Sequence, residues 1–172
     1  MVRALSTIDL RIKAEAVKQR FNDYRYDDRE VETQQERYER LLNKMYEVGA
    51  QALSDTPRAP SPANDRVSEF VSRKEDLEKE IGELVVRHRE DRSHIERLVK
   101  SLRSPDQRAV VRVRVIDGMG WPDVSDVLFG ENKDFVDEEE KYKRKTFRIF
   151  NEALLGIAKY IDESGDDFLE EH

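Results

Sequence analysis

The sequence predicts an all-α fold, in which a long antiparallel, coiled-coil-like helical hairpin precedes a C-terminal three-helix unit. Apolar residues recur at helical spacing along most of the 172 residues, which is typical of amphipathic helices. Three prolines interrupt this pattern within residues 54–64, where no helix is expected to continue. We therefore predict a hairpin over residues 1–102, a second domain over residues 103–161 and an acidic tail over residues 162–172.

The two long helices of the hairpin are predicted from a cap and a heptad repeat. Ser6 begins a sequence similar to a capping box, so the first helix is expected to start there. The second is expected to start near Asp65, and its apolar residues recur every seven positions, as in a coiled coil. The two neighbouring seams are Val67, Lys74, Ile81, His88, Ile95 and Leu102, and Phe70, Leu77, Leu84, Asp91 and Leu98. Pairing within one chain and pairing between two chains, as a homodimer, both satisfy this pattern.

The histidines do not suggest a metal site. His88 lies on the seam, where a polar residue with a nearby partner is the usual explanation. His94 and His172 have no second ligand at helical spacing. We therefore predict no metal and no cofactor.

The C-terminal domain opens with a strong helix start at Ser104, followed by Pro105. The first helix contains many β-branched residues but is predicted to stay helical as far as Asp117. Gly118 and Gly120 then provide the backbone freedom that a tight turn needs. After this turn, Trp121 begins a short second helix and is interpreted as a core anchor.

A long third helix is predicted to begin near Asp137 and to carry a basic face. Its buried face is expected to contain Phe147, Phe150, Leu154, Ile157 and Ile161. The opposite face would present cations and two polar side chains. The expected DNA contacts on this helix are Lys141, Tyr142, Arg144, Lys145, Thr146 and Arg148, and those on the first helix are Arg108, Arg112 and Arg114. Two short helices before a long basic one are typical of a helix-turn-helix unit.

The charge of the chain is distributed unevenly. The net charge is −7 for the whole chain, but it is +2 over residues 87–149 and −6 over residues 150–172. The acidic tail is interpreted as a solvated end, with an autoinhibitory DNA mimic as the alternative. The acidic residues Glu138–Glu140 suit the positive end of a helix but would repel phosphate if they faced DNA.

Composition excludes several classes of protein. The chain has no cysteine, so a disulfide framework and a cysteine-ligated zinc site are excluded. No apolar segment is long enough to span a bilayer, and the N-terminus is polar, so we expect a cytosolic protein. No nucleophile–base pair, metal cluster or phosphate loop suggests an enzyme.

Four segments resemble the phage-encoded transcriptional regulators of the ArpU/RinA type, whose C-terminal part is similar to region 4 of bacterial sigma factors. They are IDLRIKA at residues 8–14, DRVSEFVSRKEDLEKEI at residues 65–81, VIDGMGWPDVSDVLFG at residues 115–130 and YKRKTFRIFNEAL at residues 142–154. The connection at residues 130–136 is longer than the turn typical of sigma-like DNA-binding units.

The resemblance implies a sequence-specific DNA-binding protein of a phage or prophage of Gram-positive bacteria, acting as an activator of late genes. It implies that Trp121 belongs to the scaffold and that residues 141–148 form the recognition helix. Double-stranded DNA is the expected partner, and RNA polymerase is a further candidate. Two alternatives stay open, a small terminase-like DNA-packaging protein and a helical protein–protein adaptor.

Overall fold

The computed structural model describes the backbone of residues 7–53 and 63–170, and the side chains of residues 7–48 and 68–170. Several sequence-based expectations lie outside the described residues: the cap at Ser6, the conformation of residues 54–62, the side chain of Val67 and the position of His172. Nothing further is said of them.

The all-α prediction is confirmed, since the described residues form helices and turns and contain no strand. The helices are α1 (Thr7–Leu53), α2 (Ala63–Ser101), α3 (Pro105–Val111), α4 (Trp121–Phe129) and α5 (Glu139–Ser164), and a π-helical segment (Arg112–Ile116) continues α3. Helix α5 begins two residues later than expected. None of the described helices is long and apolar enough to cross a membrane.

One compact unit, Asp27–Arg89, contains the central parts of α1 and α2. The predicted seam lies on the inner side of α2, where Leu84 is buried, and Leu41 is buried on α1. Polar contacts join the two helices in antiparallel order. They are His88 Nε2 to Asp28 Oδ1 at 3.1 Å, Gln34 Nε2 to Glu80 Oε1 at 3.1 Å, and Tyr38 Oη to Glu78 Oε1 at 2.5 Å. The described helices therefore pair within one chain, and His88 has the polar partner that the seam interpretation expected.

The other compact unit combines Met1–Tyr26 with Glu90–His172, a division that differs from the boundary expected at residue 102. The first turns of α1 and the last turns of α2 share one hydrophobic core with the C-terminal helices, because their seam residues continue into it. Its fully buried side chains include Val17 and Phe21 of α1, Ile95 and Leu98 of α2, Val110 and Val111 of α3, Val124 of α4 and Ile157 of α5.

The end of the first C-terminal helix departs from α-helical geometry. Ser104 caps α3, as expected, by accepting a hydrogen bond from the backbone N–H of Gln107. After Val111 the chain adopts π-helical geometry, with Asp117 N donating to Arg112 O at 2.9 Å. The β-branched residues of this stretch therefore stay helical, but the last turn is wider than an α-turn.

The described part of the acidic tail does not lie on the basic face of α5. Helix α5 ends at Gly165, which has a φ of +66°. Phe168 is then buried, with its ring centroid 5.9 Å from that of Phe21 and 5.0 Å from that of His94. Arg20 Nε donates to Phe168 O at 3.3 Å. The tail as far as residue 170 therefore packs against residues of α1 and α2, which contradicts both the solvated-end and the DNA-mimic interpretations for these residues.

Candidate nucleic-acid interface

Helix α5 is amphipathic, and its buried side fixes the orientation of its basic side. Phe150, Leu154 and Ile157 are buried in the core, because they recur at a spacing of three or four residues. On the solvent side, the first half of the helix exposes four cations. These are Lys141, Arg144, Lys145 and Arg148.

Phe147 does not lie in the core as expected. It is 36 % exposed, and its ring packs against Trp121 with centroids 4.4 Å apart.

Two of the residues expected to face DNA are buried. Tyr142 is 7 % exposed, and Thr146 is 1 % exposed. The expectation of an outward Tyr142 is therefore wrong, and Thr146 offers no side chain to solvent either. The Thr146 hydroxyl lies 3.1 Å from Ser125 Oγ and 2.9 Å from Tyr142 O, so it joins α4 to α5.

The burial of Tyr142 results from the long connection between α4 and α5. The Tyr142 ring lies between Phe129 and Phe135, with centroids 5.2 and 5.5 Å away. Its hydroxyl donates a hydrogen bond to Asp134 Oδ1 at 2.7 Å. This hydrogen bond holds the pKa of Asp134 below its ordinary value and raises the pKa of Tyr142. The connection is thus folded against the first turn of α5 by one aromatic residue.

The cations of α5 differ in how far neighbouring acids neutralise them. Lys141 forms ion pairs with Glu138 and, at 3.6 Å, with Asp134, and the contact to Glu138 raises its pKa. Arg148 Nε lies 3.8 Å from Glu152 Oε1. Among the described residues, Arg144 and Lys145 have no carboxylate within ion-pair distance. Arg144 instead donates to the Glu140 backbone carbonyl at 3.2 Å, and Lys145 Nζ lies 4.4 Å from the centroid of the Phe129 ring.

The acidic residues at the start of α5 remain exposed. Glu138 pairs with Lys141, and Glu140 lies 3.4 Å from Lys143. These ion pairs reduce the negative charge beside the basic face, although they also reduce the positive charge of the two lysines. The strongest positive character of the described part of α5 therefore lies one turn further along, at Arg144 and Lys145.

The three arginines of the first helix are engaged in contacts within the chain. Arg108 donates to the carbonyl oxygens of Leu102 and Arg103 at 2.7 and 3.0 Å, and Arg112 pairs with Glu96 at 3.2 Å. Arg114 donates to Met119 O at 2.6 Å. These contacts join the first helix to its neighbours in sequence and space, and they place none of the three beside Arg144 and Lys145.

The turn before α4 depends on Gly118, which has a φ of +69°. Gly120 has an ordinary φ of −67° and precedes the first residue of α4, so only Gly118 uses the left-handed region. Trp121 is partly buried against the core, and its ring also lies 5.1 Å from that of Phe150.

A His–carboxylate contact joins α2 to the tail, which local spacing could not reveal. His94 Nε2 lies 2.5 Å from Asp166 Oδ1 and 3.9 Å from Asp167 Oδ1. One candidate ligand atom from each of these residues lies within 4.8 Å of the others. Asp166 Oδ1 also accepts a hydrogen bond from Phe168 N at 3.0 Å, so the group fastens the tail.

Comparison with known families gives one match. Residues 61–141 match the model of a family described as protein of unknown function (DUF1492), which is just under half of the chain. No curated protein and no solved structure matches the chain. The matched region runs from the start of α2 to the first turn of α5 and therefore ends before Arg144 and Lys145.

Proposed function

We propose that this protein is a sequence-specific double-stranded-DNA-binding regulator of transcription, and that the first half of α5 is its recognition helix. The observation that carries the proposal is the exposed pair Arg144 and Lys145, which lies opposite the buried face of α5 and has no carboxylate partner among the described residues. Arginine and lysine are the side chains that most often contact phosphates and guanine edges.

The arrangement of the helices supports this role. Helix α4 packs on α5 through the hydroxyls of Ser125 and Thr146, while Phe150 and Leu154 hold α5 to the core. The basic half of α5 is thus presented from a fixed scaffold, as a helix must be if it enters a major groove. Lys141 and Arg148 would extend the contact along the same face, provided that phosphate replaces their present acidic partners.

The regulatory role rests on the resemblance to the ArpU/RinA-type regulators, which also suggests a phage or prophage origin, late genes as targets and RNA polymerase as a partner. Since α1 and α2 pair within one chain in unit Asp27–Arg89, a homodimer would use other faces of these helices. A cytosolic location follows from the same proposal.

The experiment that tests the proposed function is enrichment of fragmented phage and host DNA by the purified protein at moderate salt, followed by sequencing. We expect one or a few sharp peaks upstream of a late operon. Enrichment at a packaging start site would support the terminase-like alternative instead. Uniform recovery, or none at low salt, would contradict sequence-specific binding and favour an adaptor.

A further inference from the structure

A pocket of about 320 Å³ lies within unit Met1–Tyr26 and Glu90–His172. Its walls come from α1, the π-helical segment, α4 and α5. This volume is at the lower end of the range of small-molecule sites. The basic face of α5 does not form it, so a ligand here would be additional to DNA.

The lining of this pocket is positively charged. It includes Lys18, Arg25 and Arg114 and no aspartate or glutamate. Arg25 donates to Gly118 O at 2.9 Å, and Arg114 donates to Met119 O at 2.6 Å. Carbonyl oxygens have no formal charge, so these two contacts orient the guanidinium groups without neutralising them. In a chain with a net charge of −7, such a lining favours an anion, and phosphate is the anion that arginine and lysine bind best.

The same pocket has an aromatic wall and amide side chains. The rings of Trp121 and Phe147 lie against each other with centroids 4.4 Å apart, and both residues keep part of their surface exposed. Asn22 and Asn151 also line the pocket, and an amide both donates and accepts hydrogen bonds. A planar heterocycle with polar edges fits this combination of side chains.

The π-helical segment places one of the cations against the aromatic wall. Arg114 lies within Arg112–Ile116, and its guanidinium carbon is 4.6 Å from the centroid of the Trp121 ring. Short π-helical segments are rare and often occur at functional sites. The local geometry that widens this turn therefore also builds the pocket.

We propose that this pocket binds a free mononucleotide, with the phosphate held by Lys18, Arg25 and Arg114 and the base against Trp121 and Phe147. Each part of the ligand then has a partner of matching chemistry on the pocket wall. Since α1, α4 and α5 all line the pocket, a bound nucleotide would bridge the first helix to the two helices that follow the Gly118 turn.

Trp121 provides a direct signal for the test, because it is the single tryptophan of the chain. AMP and GMP are titrated into the full chain while tryptophan fluorescence is followed, with adenosine and pyrophosphate as partial ligands. We expect saturable quenching by at least one nucleotide. Adenosine and pyrophosphate should bind at least about tenfold more weakly, since each lacks one of the two recognised parts.

Matched variants locate the site. K18E should weaken nucleotide binding by about tenfold or more, because it reverses an exposed charge at the pocket. N151A should weaken binding without changing any charge. K79E makes the same charge change at an exposed position of α2 outside the pocket and should bind nucleotide normally, as should the pair R144A/K145A. Thermal unfolding checks that each variant is folded.

Three results would overturn the proposal. They are the absence of saturable quenching by either nucleotide at millimolar concentration, equal affinity of folded K18E and K79E, and quenching by a DNA duplex but by no free nucleotide. The last result would make the pocket part of a DNA interface.

Discussion

The hydroxyl of Tyr142 donates a hydrogen bond to Asp134 Oδ1 over 2.7 Å, and this contact closes the long connection between α4 and α5 against the first turn of α5. The connection therefore packs beside the proposed recognition helix. Asp134 also lies 3.6 Å from Lys141, so the same carboxylate links the fold of the connection to the charge of the basic face.

Replacing Tyr142 with Phe should raise the pKa of Asp134 towards its ordinary value, because the hydrogen bond that lowers this pKa is lost. A carboxyl whose pKa is lower in the folded chain stabilises the fold above its unfolded pKa of about 3.9. That stabilisation disappears as the pH falls through the folded pKa. Carboxyl-detected NMR titration of both proteins measures the shift. An identical pKa for Asp134 in the two proteins would show that the hydrogen bond does not form.

Replacing Thr146 with Val should lower the free energy of unfolding by about 1 kcal/mol, because the buried hydroxyl that bonds Ser125 Oγ and Tyr142 O is removed. DNA affinity should not change, since Thr146 is buried. Chemical denaturation and anisotropy with a DNA duplex measure the two effects. A loss of DNA affinity without a loss of stability would restore Thr146 as a DNA contact.

Two glycine substitutions should act in opposite directions. G118A should destabilise the protein by about 1 kcal/mol, because alanine is strained at a φ of +69°. G82A serves as the matched control, since Gly82 is exposed within α2 with no atom near an added Cβ. It should stabilise the protein by about 1 kcal/mol. The prediction fails if both variants shift the unfolding midpoint in the same direction.

The tail should contribute to stability and leave DNA binding unaffected. F168A should cost about 3 kcal/mol, because it removes a buried ring that packs against Phe21 and His94. The pair D167N/E170Q removes two charges of the tail without touching this ring. It should leave the salt dependence of DNA binding unchanged. Tighter DNA binding by this pair would instead support an autoinhibitory tail.

The helices could be predicted from the sequence because they depend on local periodicity and caps. The heptad seam of α2, the cap at Ser104 and the apolar side of α5 beyond Phe150 each follow from spacing alone. These features also oriented the exposed cations of α5 correctly.

The remaining features depend on contacts between distant residues. Helical angle alone placed Tyr142 outward, because it does not include a connection that folds back and covers that side of α5. The tail was misjudged for the same reason, since His94 and Asp166 meet across 72 residues. The π-helical turn, which positions Arg114 over Trp121, likewise has no signal in the spacing of RVRVI.

The central claim, that α5 binds DNA through Arg144 and Lys145, is tested most directly by the salt dependence of DNA affinity. Fluorescence anisotropy with an enriched duplex should give a log–log slope that falls in magnitude by about 1.8 in R144A/K145A, at about 0.9 per phosphate contact. The control K159A removes an exposed cation near the other end of α5, where it pairs with Glu163, and should match the unmodified protein. Unchanged affinity and slope in R144A/K145A, or an equal loss in K159A, would contradict the claim.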